Sequence, residues 1–236
     1  MTPLEHLKAL VAGAAFRFGY TIEKIYDYGE YRLDVFQILI EQLDPSDPDF
    51  FVLQVGANDG ETLDPIRRSV LRYHWKGILL EPLPDAFAKL SANYRDQPQL
   101  VLENAALARR DGTAEIWTLS NSSGLQATFD RTRLTAHLPG HTKVVPITVR
   151  TVSVSTLLRT HQVDRIDLLQ IDTEGFDFEV LKMLFHESSL RPRLIRYEHV
   201  HLSHADRAAC VDLLAHEGYR MFPDFIDTIA LRPKHS

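Results

Sequence analysis

The sequence has almost no cysteine, no long apolar run and no excess of positive charge. Its single cysteine, Cys210, excludes a disulfide within the chain, and the helical pattern of residues 205–217 favours a buried thiol over a nucleophile. No apolar run approaches the roughly 20 residues that span a bilayer, and the first residues lack the pattern of a secretion signal. We therefore expect a cytoplasmic protein.

Charge and composition narrow the class of partner. The net charge is -6 and the pI is near 6.0, so the chain has no general attraction to nucleic acid or to anionic membranes. With 236 residues, 44% of them hydrophobic, the chain has the composition of a globular protein, and we expect one domain over residues 1–236. A small-molecule acceptor is therefore the expected partner, and a homo-oligomer stays open.

The most informative segment is an apolar strand that runs into a glycine-containing turn. Residues 50–55 are apolar apart from Gln54, and the turn Gly56-Ala57-Asn58-Asp59-Gly60 follows. The glycines permit backbone geometry and close approach that a Cβ would obstruct. A dinucleotide fingerprint needs a glycine where Asn58 stands, so the turn favours a nucleoside or amino-acid moiety over a nicotinamide cofactor.

The first 49 residues form a predicted N-terminal helical extension. Apolar residues at helical spacing predict one helix in the first twenty residues and another over residues 33–43. Between them lies a tyrosine cluster at Tyr20, Tyr26, Tyr28 and Tyr31. These tyrosines could line a substrate or a subunit interface, and packing alone explains them equally well.

Residues 50–236 form a predicted catalytic core in which strands alternate with helices. Apolar runs predict further strands at residues 77–81, 99–104, 167–172 and 194–198, with helices near 85–93 and 176–185. This alternation is typical of an α/β fold with a doubly wound, mostly parallel central sheet and helices on both faces. The β-rich stretches within residues 113–154 predict a strand insertion with a mobile flap around the polar loop at 120–124.

Ligands of such sheets bind beyond the carboxyl ends of the strands, so the polar residues there are the first site candidates. Glu81 ends the second predicted strand, where an acid can hydrogen-bond a ribose diol. Asn104 ends the third and could meet an adenine edge. Asp172 ends the fourth and is expected to face the reactive end of the cofactor.

Five motifs together resemble the FkbM-type S-adenosylmethionine-dependent methyltransferases. They are Val55 to Gly60, Glu81-Pro82, Asn104 to Leu107 with Asp111-Gly112, Ile171 to Gly175, and Tyr197-Glu198-His199. The resemblance covers roughly residues 50–230. It implies a class I methyltransferase fold with an antiparallel final strand, and methyl transfer to a hydroxyl on a sugar or natural product.

The resemblance also implies a cofactor-binding set for S-adenosylmethionine. Gln54 departs from the aspartate often found at its position, which puts its contact with the cofactor's amino group in doubt. The set consists of the residues at the ends of the first four strands: Gln54, Gly56, Ala57, Asn58, Asp59, Gly60, Glu81, Pro82, Asn104, Ala105 and Asp172.

Methyl transfer to a hydroxyl also requires proton removal. His199 is the first candidate base, because an imidazole titrates near neutral pH and this one follows the fifth strand. Glu174, just past the fourth strand, is the second, and Asp172 completes the candidate catalytic set. A structural role for His199 is the alternative.

The same strand ends suggest a divalent cation. Asp172, Glu198 and His199 could hold Mg²⁺ or another divalent ion against the acceptor's oxygens. The segment from Asp172 to Gly175 is also typical of a helix entry, in which Asp172 or Thr173 caps backbone amides and the acidic residues complement the helix dipole. His201 and His204 are interpreted as surface histidines.

Two rival functions stay open. A nucleotide-linked oxidoreductase would need a phosphate-binding glycine pattern that residues 56–60 lack. A catalytically inactive, methyltransferase-like binding or scaffold protein could use the tyrosine cluster as its surface.

Overall fold

A computed structural model describes residues 34–119, 127–129, 131 and 143–233 of the chain. Its helices are α1 Val35–Glu41, α2 Arg67–Tyr73, α3 Pro84–Asn93, α4 Val154–Thr160, α5 Asp177–Glu187 and α6 His204–His216. Its strands are β1 Phe51–Val55, β2 Lys76–Leu80, β3 Leu100–Glu103, β4 Ala106–Leu107, β5 Gly112–Leu119, β6 Ala127–Thr128, β7 Val144–Val152, β8 Leu168–Ile171, β9 Leu194–Glu198, β10 Arg220–Asp224 and β11 Asp227–Leu231.

The central sheet has seven strands in the order β10-β11-β9-β8-β1-β2-β3. Strands β3, β2, β1, β8 and β9 are parallel, whereas β11 pairs antiparallel with both β9 and β10. The chain leaves β1 toward β2 and β3 and later returns on the other side of β1 as β8. The crevice between the carboxyl ends of β1 and β8 is therefore the switch point where ligands bind in such sheets.

Alternate residues of the sheet build two apolar cores, because successive side chains of a strand point to opposite faces. Leu53, Ile171 and Tyr197 pack on one face against helices α4, α5 and α6. Val52 and Leu168 pack on the other face with α1, α2 and α3. Buried apolar area on both faces explains why the strands read as continuous apolar runs.

The predicted β insertion forms a second sheet of four strands in the order β4-β7-β5-β6. Its long hairpin pairs β5 with β7, and the short β6 continues it. Ala106, Ile116 and Val149 form a third apolar cluster with Leu83 and Ala86, beside the loop and helix that follow β2. This sheet therefore stands next to the switch point, while residues 120–126 of the predicted flap lie outside the described residues.

The predicted helix over residues 33–43 is confirmed as α1. Phe36, Ile40 and Leu43 of this segment are buried in the core of the sheet, so this part of the predicted extension belongs to the core. The helix predicted in the first twenty residues and the tyrosine cluster lie outside the described residues. Among the residues that are described, no helix is long and apolar enough to cross a membrane.

Three local features were not anticipated from the sequence. Helix α2 forms between β1 and β2, and α4 begins at Val154, where the sequence suggested strand. Ser153 caps α4, because its side chain accepts a hydrogen bond from the backbone N–H of Thr156.

The prediction that Cys210 is buried is confirmed, since this residue is fully buried on α6.

Candidate active site

A cavity opens at the switch point, between the ends of β1, β2 and β8 and the second sheet. Glu81, which follows β2, and Asp172 and Glu174, which follow β8, are among its lining residues, and these two sides of β1 are called its two ends below. The walls between them are mainly apolar and come from both sheets and their loops: Val55, Pro82, Leu83, Ala105, Ala106, Leu107, Ile116, Ala127, Phe129 and Phe176. Such a shape suits an elongated ligand with an apolar middle and polar ends.

Glu81 is held by two backbone amides. Its Oε2 accepts a hydrogen bond from the N–H of Asn58 at 2.9 Å, and its Oε1 accepts one from the N–H of Leu83 at 2.8 Å. The side chain is 5% exposed, and burial raises the pKa of its carboxyl to about 7 against the lowering effect of the two amides. Glu81 therefore has a fixed orientation at the cavity wall, where its remaining lone pairs can accept ligand hydroxyls.

The glycine turn leaves few amides for a ligand. The N–H groups of Gly56 and Ala57 both donate to the carbonyl oxygen of Leu80, and that of Asn58 is taken by Glu81. A pyrophosphate would need such amides free, so this geometry agrees with the expectation that a nicotinamide dinucleotide is not the ligand.

Gly56 has the unusual backbone geometry that the sequence predicted. Its φ is +83°, and a Cβ there would lie 1.8 Å from the backbone oxygen of Asp172, so the close approach in this structure is to the protein's own backbone. A Cβ on Gly60 would meet Tyr94 and Leu90. The two glycines thus let the turn pack against β8 and α3.

The predicted cofactor residues divide into two groups. Six of them line the cavity: Gly56, Asn58, Glu81, Pro82, Ala105 and Asp172. The other five are not among its lining residues: Gln54, Ala57, Asp59, Gly60 and Asn104. For this second group a cofactor contact stays a prediction.

Two polar side chains of this second group are held by hydrogen bonds to other parts of the protein. Asn104 donates its side-chain amide to the carbonyl oxygens of Glu81 and Pro82, at 2.8 and 3.2 Å. Asp59 accepts from Glu61 and Thr62 and closes the turn. Gln54 is 3% exposed, with no hydrogen-bond partner for its Oε1.

The opposite end of the cavity concentrates carboxyl groups. Asp172 is open to the cavity but surrounded by protein atoms, and this desolvation raises its pKa, partly offset by Arg196. Desolvation and the charge of Asp172 raise the pKa of Glu174 to about 7. Burial and the neighbouring acids raise that of Glu198 to about 9. This end therefore holds protons near neutral pH and attracts positive charge.

Asp177 fixes the loop that carries these acids, a role that the sequence interpretation missed. It is fully buried at the start of α5, and burial raises its pKa to about 6. One carboxyl oxygen accepts from Thr173 Oγ1 at 2.8 Å and from the N–H of Gly175 at 3.2 Å. The other accepts from the N–H of Glu198 at 3.0 Å, so one side chain joins the β8 loop to the end of β9.

His199 and His201 occupy different surroundings. His199 Nδ1 lies 3.0 Å from Thr228 Oγ1, and its side chain is not among those lining the cavity. Burial, assisted by Arg207, lowers the pKa of His199. The Nε2 of His201 lies 3.2 Å from Glu174 Oε2 and 3.5 Å from Glu198 Oε2. The histidine beside the acids is therefore His201, which the sequence interpretation had placed among surface residues.

The predicted cation ligands are not brought together as a set. Within the described part of the chain, the carboxylate and imidazole atoms that lie within 4.8 Å of one another belong to Glu174, Glu198 and His201. Of the trio Asp172, Glu198 and His199, only Glu198 belongs to this group. The reason is that β9 ends at Glu198 and a turn follows, which returns His201 toward the acids.

The sheet order, the antiparallel β11 and the cavity at the switch point define a class I methyltransferase fold. The "Methyltransferase FkbM domain" family matches residues 54–221, and the chain belongs to this family. The name of this family gives methyl transfer as its activity, and the resemblance noted in the sequence implies S-adenosylmethionine as the methyl donor. The site fits that cofactor, since a buried acid stands at the end suited to a ribose and carboxylates stand at the end suited to a sulfonium.

A search of curated proteins found a relative named "Hexuronic acid methyltransferase AglP", from Haloferax volcanii. It is 28% identical over 180 residues, which make up 74% of this chain and 66% of the relative, so the match spans slightly less than two thirds of the relative's length.

Solved structures with a similar fold include the human methyltransferase 10 domain containing protein, with a TM-score of 0.45 and 11% identity over 98% of this chain and 96% of that one. Another is an RNA methyltransferase from Salinibacter ruber in complex with S-adenosyl-L-homocysteine. Its TM-score is 0.41, with 12% identity over 88% of this chain and 96% of that one. Scores at this level leave substrates and partners open, so the expectation that nucleic acid is not a partner stays a prediction.

Proposed function

We propose that this chain transfers a methyl group from S-adenosylmethionine to a hydroxyl group of a sugar or a related natural product. The observation that carries the proposal is that one cavity is lined both by an amide-held acid, Glu81, and by two desolvated acids, Asp172 and Glu174. The relative from Haloferax volcanii, whose name gives hexuronic acid as its substrate, supports a sugar-type acceptor.

Each end of the cavity has its own part in the reaction. S-Adenosylmethionine, when bound, supplies a methyl group on a positively charged sulfur. Glu81 would hold the ribose hydroxyls, and the Asp172 end would hold the cationic part. The apolar walls that include Leu107 and Ile116 would exclude water from the acceptor oxygen.

The protein must align the acceptor oxygen and take its proton as the new carbon–oxygen bond replaces the carbon–sulfur bond. Besides Glu81, the acids that line the cavity are Asp172 and Glu174, and either of them would accept that proton. The pKa of Glu174, about 7, suits a group that takes up and releases a proton near neutral pH.

The test begins with an acceptor screen. Neutral sugars, hexuronic acids and small phenols are each incubated with the chain and S-adenosylmethionine, and the release of S-adenosylhomocysteine is measured. Treatment of the product with mild alkali distinguishes a methyl ether, which is stable, from a methyl ester, which is cleaved. A stable ether on a sugar supports the proposal, whereas only esters, or no product with any acceptor, would contradict it.

Variants then identify the proton acceptor. We expect Asp172→Asn or Glu174→Gln to lower turnover roughly 10²- to 10⁴-fold. Glu61→Gln, at an exposed position outside the cavity, is the matched control. If His199→Ala lost turnover to this extent while Asp172→Asn and Glu174→Gln kept theirs, His199 would be the base instead. Binding of S-adenosylhomocysteine without methyl transfer to any acceptor would favour the inactive binding protein.

A further inference from the structure

The cluster of Glu174, Glu198 and His201 has the spacing of ligands around one metal ion. Ligand atoms at about 2.0 to 2.2 Å from an ion lie roughly 3 to 4.4 Å from one another, depending on whether they are adjacent or opposite. The Nε2 of His201 is 3.2 Å from Glu174 Oε2 and 3.5 Å from Glu198 Oε2. These separations correspond to neighbouring positions around an ion.

Glu198 supplies an independent indication. The residue is only 8% exposed, and its Oε2, the atom that faces His201, has no hydrogen-bond partner. A buried carboxylate oxygen without a donor is costly, because its desolvation is not compensated. The main-chain N–H of Glu198 is held by Asp177, so the strand end is fixed while this oxygen stays unsatisfied.

The charges around Glu198 point in the same direction. The carboxylates of Asp172, Glu174, Asp177 and Asp227 all lie within electrostatic range of Glu198. Arg196 pairs with Asp227 at 2.5 Å. A positive charge at the cluster would therefore offset a local excess of acid.

We propose that Glu174, Glu198 and His201 bind a divalent cation, and that this cation holds oxygen atoms of the acceptor. Two carboxylates and one imidazole suit Mn²⁺ or Zn²⁺ better than Mg²⁺, which prefers oxygen ligands. The set leaves coordination positions free, and Glu174 lines the cavity, so an acceptor bound there can reach the ion.

The role toward the acceptor rests on the proposed function, whereas cation binding does not. With Glu174 engaged by the cation, Asp172 is the carboxylate that takes the proton of the acceptor hydroxyl. A bound cation also makes a coordinated hydroxyl more acidic, and it would neutralise an acidic sugar placed beside these carboxylates.

Mn²⁺ binding tests the site without any acceptor. The full chain is treated with EDTA, desalted and titrated with Mn²⁺ at pH 7.5, and free Mn²⁺ is followed by electron paramagnetic resonance. We expect one Mn²⁺ per chain, and at least about 10-fold weaker binding in both Glu198→Gln and His201→Ala. Asp212→Asn, an exposed acid on α6, is the matched control and should bind as the parent does.

The variants remain interpretable because they spare the fold. A glutamine has the shape of protonated Glu198, and His201 is exposed, so circular dichroism should show folded proteins. Failure to bind Mn²⁺ at millimolar concentration, or equal binding by the parent and both variants, would overturn the site. If Mn²⁺ binds there but leaves kcat/KM for an identified acceptor unchanged, the acceptor-holding role is overturned while the methyltransferase assignment stands.

Discussion

The two ends of the cavity satisfy their acids in opposite ways. At one end, both carboxyl oxygens of Glu81 accept backbone amides. Beside the other end, Glu198 has a buried oxygen without a donor, and the charged groups that act on it most are carboxylates. At the first end, the protein itself supplies the hydrogen bonds that the carboxylate needs, so this end is suited to orienting a neutral diol. At the second end, the carboxyl groups need protons, a cation or a cationic ligand to balance their charge, which suits the end where the reaction takes place.

The largest effect is expected on stability, from a substitution of Gly56 in the turn after β1. Gly56 presses the β1 turn against the backbone of Asp172, so Gly56→Ala must push the turn away from β8. We expect a loss of about 2 to 5 kcal/mol in the free energy of unfolding, from the left-handed φ together with the clash. Urea denaturation measures it.

Gly218→Ala is the matched control for this prediction. Gly218 has φ +84°, nearly the same as Gly56, but an added Cβ would meet no atom within 4 Å. Its loss should therefore be limited to the conformational part, about 1 to 2 kcal/mol. Equal losses in the two variants would mean that the contact with Asp172 is not what requires Gly56.

A smaller effect is expected on cofactor binding, from substitution of Glu81. Glu81→Ala should weaken S-adenosylhomocysteine binding by roughly 1 to 3 kcal/mol, because it removes a charge-assisted hydrogen-bond acceptor. Isothermal titration calorimetry gives the affinity, and Glu81→Gln, which keeps one acceptor oxygen, should lie between the alanine variant and the parent. Unchanged affinity in a folded alanine variant would remove Glu81 from the cofactor site.

The raised pKa values of the buried acids should make the stability of the protein depend on pH. The pKa of Glu198 is about 9 in the folded chain against an ordinary 4.5, so between these values the folded state keeps a proton that the unfolded state has lost. Stability therefore falls as pH rises through this window, by at most about 1.4 kcal/mol per pH unit for one proton. Glu81 and Glu174, with pKa values of about 7, add to the slope up to that pH.

Glu198→Gln provides the comparison for that slope. The variant cannot release a proton, so its stability should fall less between pH 7 and 9 than that of the parent. Chemical denaturation at several pH values measures both curves. Parallel curves over this range would show that the carboxyl of Glu198 titrates normally.

The sequence predicted the strand ends well and the side-chain directions beyond them poorly. The apolar runs end where polar residues begin, so Glu81 and Asp172 could be placed at the cavity from the pattern alone. The sequence grouped His199 with Asp172 and Glu198, whereas His201 is the histidine beside Glu174 and Glu198, because the alternation of a strand does not continue past its end. After Glu198, the N–H groups of His199 and Val200 both donate to the carbonyl oxygen of Ile226, and the resulting turn brings His201 back instead.

Contributions from distant segments were also hidden from the sequence. Phe129 and Phe176 form an aromatic pair at the cavity with ring centroids 4.6 Å apart, although they lie far apart along the chain. No local pattern relates them. Asp177 could have been found from the acidic first turn of α5, but a helix-capping interpretation would not reveal that it also binds the amide of Glu198.

The buried carboxyl of Asp177 has a consequence for how the site opens. Because it accepts the amides of both Gly175 and Glu198, these two protons are protected from exchange with solvent by the same group. Any fluctuation that releases one of them loosens the other as well. The β8 loop and the end of β9 should therefore exchange as one cooperative unit, so the acids that face the acceptor keep their relative positions until that unit opens.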